Sequence, residues 1–253
     1  MVRGGHRLAW CAAVVLALAG CGRAEGPSEQ RPADGTAEAR PAYEIAEELP
    51  EKLGADGTTI TVGDPGAKVK VHLYEDPRCP VCEQFEMSGG PQLRKAMLER
   101  WASTEYTMAS FLDDRVGGSG SKKAVNALRA ALEEGKFVEY HEVLYYNQPE
   151  ESVDGYTDAR LLELAGQVEG LRSTAFDNAV KTMKYRDFVA ASQKAYERAG
   201  DTSEPEGPGT PTAVINDKRI TAETAGVLYD STMFTELLRQ IHAHPQEWEA
   251  TTL

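Results

Sequence analysis

The sequence predicts an α/β domain in which a central mixed β-sheet is flanked by helices and interrupted by an inserted helical subdomain. Three observations carry that expectation. Short apolar strand patterns run from Thr58 to Val62, Val69 to Tyr74 and Thr210 to Ile215. The second leads straight into a turn with two cysteines, Cys79-Pro80-Val81-Cys82, and then into helical sequence. From Ser121 to Gly200 the apolar spacing is almost wholly helical. At 253 residues the chain has ample material for a core.

The N-terminal segment reads as an address. Arg3 and Arg7 form a basic head, followed by twelve apolar residues from Leu8 to Ala19. A membrane-spanning helix needs about 20 such residues, whereas a run this short fits a secretory signal. Residues 1–20 are therefore expected to be a signal peptide. They end in Leu18-Ala19-Gly20, and with Cys21 this resembles the lipobox of bacterial lipoproteins. That resemblance implies cleavage before Cys21 and lipid on the new terminus, which places the protein at the extracytoplasmic face of the cell membrane. Acyl chains hold a protein there through about 0.8 kcal/mol per buried CH₂. Residues 21–42 contain no aliphatic side chain larger than alanine and are expected to be a flexible tether. Residues 43–253 then form the folded domain, with the helical insertion at about 116–200.

The remaining elements follow in order. An amphipathic helix is expected from Tyr43 to Leu53, and a turn at Gly63-Asp64-Pro65-Gly66 separates the first two strands. The helix after Cys82 breaks at Gly89-Gly90-Pro91, and Pro91 opens a second piece running to Trp101. Glu105 to Leu112 alternates like a strand. Inside the insertion, three sets repeat at helical spacing: Val125, Leu128 and Leu132; Leu161, Leu164 and Val168, capped by Thr157; and Phe176, Val180 and Met183. Phe137, Tyr140, Tyr145 and Tyr146 are expected as a packed stripe. Beyond the Thr210 strand, Asn216-Asp217-Lys218 turns the chain back, and Met233 to Ile241 forms a last helix.

Forty acidic side chains against 27 basic ones give a net charge of −13. With no surplus cation to displace counterions, nucleic acid is not an expected partner. The cysteines point elsewhere. Cys11 leaves with the signal and Cys21 takes lipid, so Cys79 and Cys82 remain as a lone C-x-x-C pair. In an oxidising compartment such a pair is a redox couple or a small structural loop. A loop of four residues stabilises little, which favours the redox couple. No second C-x-x-C or paired histidine motif completes a zinc site, and His242 and His244 are expected to be solvated. His141 and Glu142 are adjacent on a helix and do not share a face.

The spacing supplies a chemical device. Cys79 stands where a helix begins, and unsatisfied N–H groups there favour an anion. Thiols so placed have pKa values lowered from about 8.5 to about 3.5–7.5. Pro80 and Val81 form the first turn, which tolerates proline because its missing N–H would have had no partner. Cys82, three residues on, lies on the same helical face. The first sulfur is expected to be exposed and to attack; the second, deeper, resolves the mixed disulfide. Arg78 beside Cys79 favours the thiolate, while Glu75, Asp76, Glu83 and Glu86 oppose it.

In these features the sequence resembles the thioredoxin-fold disulfide oxidoreductases, within them the DsbA-like branch. The resemblance rests on Cys79-Pro80-Val81-Cys82 after a strand, Thr210-Pro211 before a strand, and the long helical block between. That block includes Glu134-Gly135-Lys136-Phe137-Val138-Glu139-Tyr140-His141. The resemblance covers about residues 58–243 and implies a thioredoxin fold with cis Pro211 opposite the sulfurs. It also implies substrate docking by strand addition at Thr210. Reduced or misoxidised secreted proteins are the implied substrates, and a quinone-linked membrane oxidase of the DsbB or VKOR type the implied reoxidant. No metal or organic cofactor is implied, and a monomer is expected. Such enzymes often carry a buried acid six residues before the first cysteine; this chain has Leu73 there, with His72 pointing to the other face. An oxidase is favoured over an isomerase because residues 22–57 are too short and polar for a dimerisation domain. Two other classes stay open: a binding lipoprotein that keeps the fold without catalysis, and a copper-delivery protein using Cys79 and Cys82 as soft ligands with Met87 as a third.

Overall fold

The computed structural model describes residues 42–250, which fall within one compact unit. The expected signal, Cys21 and the tether up to residue 41 lie outside the described residues. The strands are β1 (Glu51–Leu53), β2 (Ile60–Gly63), β3 (Val69–Glu75), β4 (Ala102–Met108), β5 (Thr212–Ile215) and β6 (Lys218–Arg219). They form a six-stranded sheet in the order β1-β2-β4-β3-β5-β6. Central β3 runs parallel to β4 and antiparallel to β5, and every other pair is antiparallel. This is the expected thioredoxin fold.

The helices are α1 (Pro80–Glu86), α2 (Gly90–Leu98), α3 (Leu112–Val116), α4 (Gly120–Glu133), α5 (Phe137–Tyr146), α6 (Asp158–Ala165), α7 (Thr174–Thr182), α8 (Arg186–Arg198), α9 (Ser231–Ala243) and α10 (Pro245–Ala250). Along β3, Val69, Val71 and Leu73 are buried on one face, in a core shared with Phe85, Phe234 and Ile241. Side chains alternate along a strand, so Lys70, His72 and Tyr74 take the other face. There Tyr74 meets Tyr196 of α8. Among the described residues no helix is long and apolar enough to cross a membrane.

The helical block is α4 to α8, with α4 at its centre packing against α5, α7 and α8. Gly135 turns the chain from α4 to α5 at φ 65°, a conformation open to glycine. Thr157 caps α6 by accepting from the Arg160 N–H, and Ser173 does the same for α7 with Phe176.

Several expectations are corrected. Tyr43 to Leu53 is not a helix but a 3-10 turn, Ala46–Glu48, followed by β1. Pro50 disfavours helical backbone at the residue before it, and β1 then finds pairing partners on β2. The strand sought at Glu105 to Leu112 is β4, which begins at Ala102 and ends before Leu112 opens α3. Both of its faces are covered except at Glu105, so strict alternation was the wrong signal. Tyr146 leaves the aromatic stripe and is 75% exposed, while Phe137, Tyr140 and Tyr145 are buried. His242 is half-buried and stacks on Trp101; His244 is exposed.

A buried ion pair ties the cysteine turn to the insertion. Arg78 donates to Asp113 Oδ1 at 2.9 Å, to the Gly117 carbonyl at 2.8 Å and to the Glu151 carbonyl at 2.8 Å. Asp113 also accepts the backbone N–H groups of Ser121 and Lys122 at the start of α4. Neither charged side chain is accessible to water. Removing one partner strands the other's charge in a dry site. Asp113→Ala is therefore expected to lower stability by about 3–5 kcal/mol in urea unfolding, and Asp113→Asn, which keeps an acceptor, by less.

Candidate active site

The turn between β3 and α1 is held from inside. Asp76 accepts from the N–H groups of Arg78 (3.0 Å) and Leu112 (3.1 Å) and from the Ser121 hydroxyl (2.6 Å). Burial, opposed by these donors, raises its pKa to about 7. Gln148 donates to the carbonyls of Pro77 and Cys79 at 2.8 and 3.1 Å. The chain thus reaches Cys79 in an extended conformation, φ −77° and ψ 117°, and Cys79 is the N-cap of α1 with Pro80 in its first turn. The α1–α2 junction presses close to the segment after β6: a Cβ on Gly89 would lie 2.2 Å from the Leu228 carbonyl oxygen.

Both cysteines are free thiols. Cys82 is fully buried, as its position one turn deeper requires. Cys79 is only 7% exposed, so it is recessed rather than open as expected, with Val81 beside it 45% exposed. The Thr210-Pro211 peptide bond is cis, and the Cys79 thiol donates to the Thr210 carbonyl at 3.3 Å. Tyr196 fastens this loop by accepting the Gly209 N–H at 3.2 Å, and its ring stacks on Phe111. Cys79, Pro80, Val81, Cys82, Thr210 and Pro211, far apart in sequence, therefore come together at one place.

The two sulfurs differ in acidity. Cys79 is lowered to about 6, foremost by hydrogen bonding from the Cys82 thiol. Burial opposes this, while Thr210 and the N–H groups of Cys82 and Val81 reinforce it. Cys82 is pushed well above the ordinary thiol range by burial, by Cys79 and by the charge of Glu75. The cation expected to assist Cys79 does not do so. Arg78 turns away into its pairing with Asp113, and hydrogen bonds supply the acidity instead.

Sequence reasoning missed a buried polar cluster behind Cys82. Glu75 sits at the end of β3, completely inaccessible. Its Oε2 lies 3.0 Å from His141 Nε2, and Glu86 Oε2 lies 3.9 Å from His141 Nδ1. Burial raises both carboxyls and lowers the imidazole. The signal was available. Glu75 is two residues past Leu73, and a strand repeats its faces every two residues, so both point the same way. His141 falls in the apolar stripe of α5 with Val138 and Tyr145, three and four residues away. By contrast His72 faces the other side, 2.8 Å from the Thr107 hydroxyl and stacked on Tyr74. The ligand-type atoms of Glu75, Glu86 and His141 lie within 4.8 Å of one another, the grouping among the described residues that could hold a cation. Met87 is 44% exposed at the far end of α1.

The thioredoxin family profile matches residues 55–229. The chain belongs to the thioredoxin family. Among solved structures it is similar to BdbD of Bacillus subtilis, at 19% identity and a TM-score of 0.59, covering 81% of this chain and all of that one. It is similar to MdbA, a thiol-disulfide oxidoreductase of Corynebacterium diphtheriae, at 18% identity and 0.57, covering 79% and 95%. DsbA of Mycobacterium tuberculosis matches at 22% and 0.53, covering 76% and 98%. These likenesses give this member of the thioredoxin family a DsbA-like fold. No curated protein sequence matches the chain.

The rate of Cys79 alkylation should titrate with a midpoint near pH 6. Cys82→Ser should move that midpoint, because the Cys82 thiol is the strongest influence lowering it. A wild-type midpoint at or above about 8.5, that of free cysteine, would contradict the hydrogen-bonded thiolate.

Proposed function

We propose that the protein is a thiol–disulfide oxidoreductase in which Cys79 is the nucleophile and Cys82 the resolving thiol. The observation that carries this is the split in acidity between the two sulfurs at the start of α1. One is a thiolate at neutral pH, and the other holds its proton. In the oxidised protein, a substrate thiolate attacks Cys79 Sγ, the Cys79–Cys82 bond breaks, and the electron pair leaves on Cys82. A second substrate thiolate then attacks the mixed disulfide and releases Cys79 as its thiolate. The substrate dithiol loses two electrons and two protons, one to Cys82 and one to solvent. Pro80 and Val81 direct the N–H groups of the first turn, and Thr210-Pro211 is the docking loop. A backbone there recognises an extended chain by main-chain hydrogen bonds and tolerates many sequences.

A stabilised thiolate stabilises the reduced protein and makes the disulfide a stronger oxidant. Oxidation of reduced secreted proteins is thus the favoured direction, with a quinone-linked membrane oxidase of the DsbB or VKOR type restoring the disulfide. Lipid on Cys21 would hold the enzyme, as a monomer, at the extracytoplasmic membrane face. Mass spectrometry of the mature N-terminus tests the anchor, which an intact Met1 or unmodified Cys21 would refute. For the chemistry, Cys82→Ser should accumulate mixed disulfides with secreted proteins through Cys79, and Cys79→Ser should accumulate none. Equilibration with glutathione should give a couple more oxidising than thioredoxin, which lies at about −270 mV.

A further inference from the structure

We propose that Gln148, supplied by the inserted helical subdomain, is a positioning residue for disulfide exchange: its amide holds the backbone of Cys79 so that Cys79 Sγ stays in line between Cys82 and an incoming sulfur. This deepens the exchange reading and rests on it. Gln148 Nε2 meets two carbonyl oxygens, that of Pro77 at 2.8 Å and that of Cys79 at 3.1 Å, across 71 and 69 residues of sequence. A carbonyl only accepts, so the NH₂ end of the amide faces the turn, and its two N–H groups match the two oxygens one for one.

The backbone of Cys79 is tied on both sides of its Cα. Its N–H donates to the Asp76 carbonyl at 2.9 Å, and its carbonyl accepts the Glu83 N–H at 3.1 Å as well as the Gln148 amide. Rotation about Cα–Cβ is then the freedom left to the sulfur. Gln148 is itself anchored, because its backbone N–H donates to the Tyr145 carbonyl at the end of α5 at 3.2 Å. Tyr145 packs in the same buried cluster as Cys79 and Cys82. Three residues beyond Gln148, the Glu151 carbonyl accepts from the Arg78 guanidinium at 2.8 Å. Residues 77, 78 and 79 are therefore each met by the segment 148–151 that leads out of α5.

Exchange passes a bond along a row of sulfurs. When the reduced protein meets a disulfide, the Cys79 thiolate attacks one sulfur and the electron pair leaves on the other. Cys82 then gives its proton to solvent and attacks Cys79 Sγ, which expels the captured sulfur as a thiolate. The attacking, central and leaving sulfurs must line up, and a misplacement of about 1 Å can cost about a hundredfold in rate. Cys79 Sγ attacks in the first step and is central in the second, so slack in its backbone slows both. The two carbonyls that Gln148 meets are chemically the same before and after the Cys79–Cys82 bond forms. An interaction made equally in two states shifts no equilibrium between them. Gln148 thus governs how fast the couple exchanges and not how far.

The experiment follows single turnover of the full chain at pH 8 in both directions, reduced protein with oxidised glutathione and oxidised protein with reduced glutathione. Gln148 is half-buried, so a side chain of like shape fits its place. Gln148→Met, which has that shape and no donor, should slow both directions about tenfold and leave their ratio unchanged. Gln148→His, neutral at this pH, returns one N–H and should recover part of the loss. Wild-type rates in Gln148→Met, slowing in one direction only, or no recovery in Gln148→His would each overturn the positioning role and leave the exchange reading standing. Should Gln148→Met fail to fold, Gln148→Ala is read against the same outcomes, and loss of the fold in both would make Gln148 a structural residue and overturn the proposal. Absence of exchange by the wild-type protein in either direction would instead overturn the exchange reading.

Discussion

Two thiols three residues apart at a helix start cannot both carry charge when one of them has no water. Cys79 meets the N–H groups of the first turn and the proton of Cys82; Cys82 packs with Leu112 and Tyr145 and feels the charge of Glu75. A negative charge therefore settles on the outer sulfur, and the inner one stays protonated. The surrounding architecture keeps that asymmetry fixed. Asp76 holds the turn, and α1 supplies oriented dipoles.

The insertion is more than added bulk on the sheet. It meets the cysteine turn through Arg78 at the carbonyls of Gly117 and Glu151, through Gln148 at the carbonyls of Pro77 and Cys79, and through His141 at Glu75. Each contact is polar and buried or half-buried, and each joins a group on the β3–α1 turn to one beyond β4. Polar contacts in a dry interior demand matched partners, so the two parts of the molecule have one good way to fit.

Much of this was legible in the sequence because it depends on local rules. The C-x-x-C pair after an apolar strand, the proline in a first turn, and Thr157 as a cap are each decided within a few residues. What could not be read depends on contacts between distant segments. Arg78 lies next to Cys79 in sequence, yet its partner is 35 residues away, and that pairing turns the guanidinium from the sulfur. Glu75 and His141 are 66 residues apart, and neither announces the other. Pro50 was visible, but that the following residues would become an edge strand depended on β2 offering a partner.

The recess around Cys79 has a consequence for what the sulfur can meet. With 7% of the residue accessible and the Thr210 carbonyl against its thiol, the rigid convex surface of a finished globule cannot bring a cysteine into line for attack. A loose, unfolded stretch of polypeptide can thread to the sulfur and lie along the loop. Under the proposed exchange, selection on that basis would depend on when in its own folding a client arrives, more than on which residues it carries.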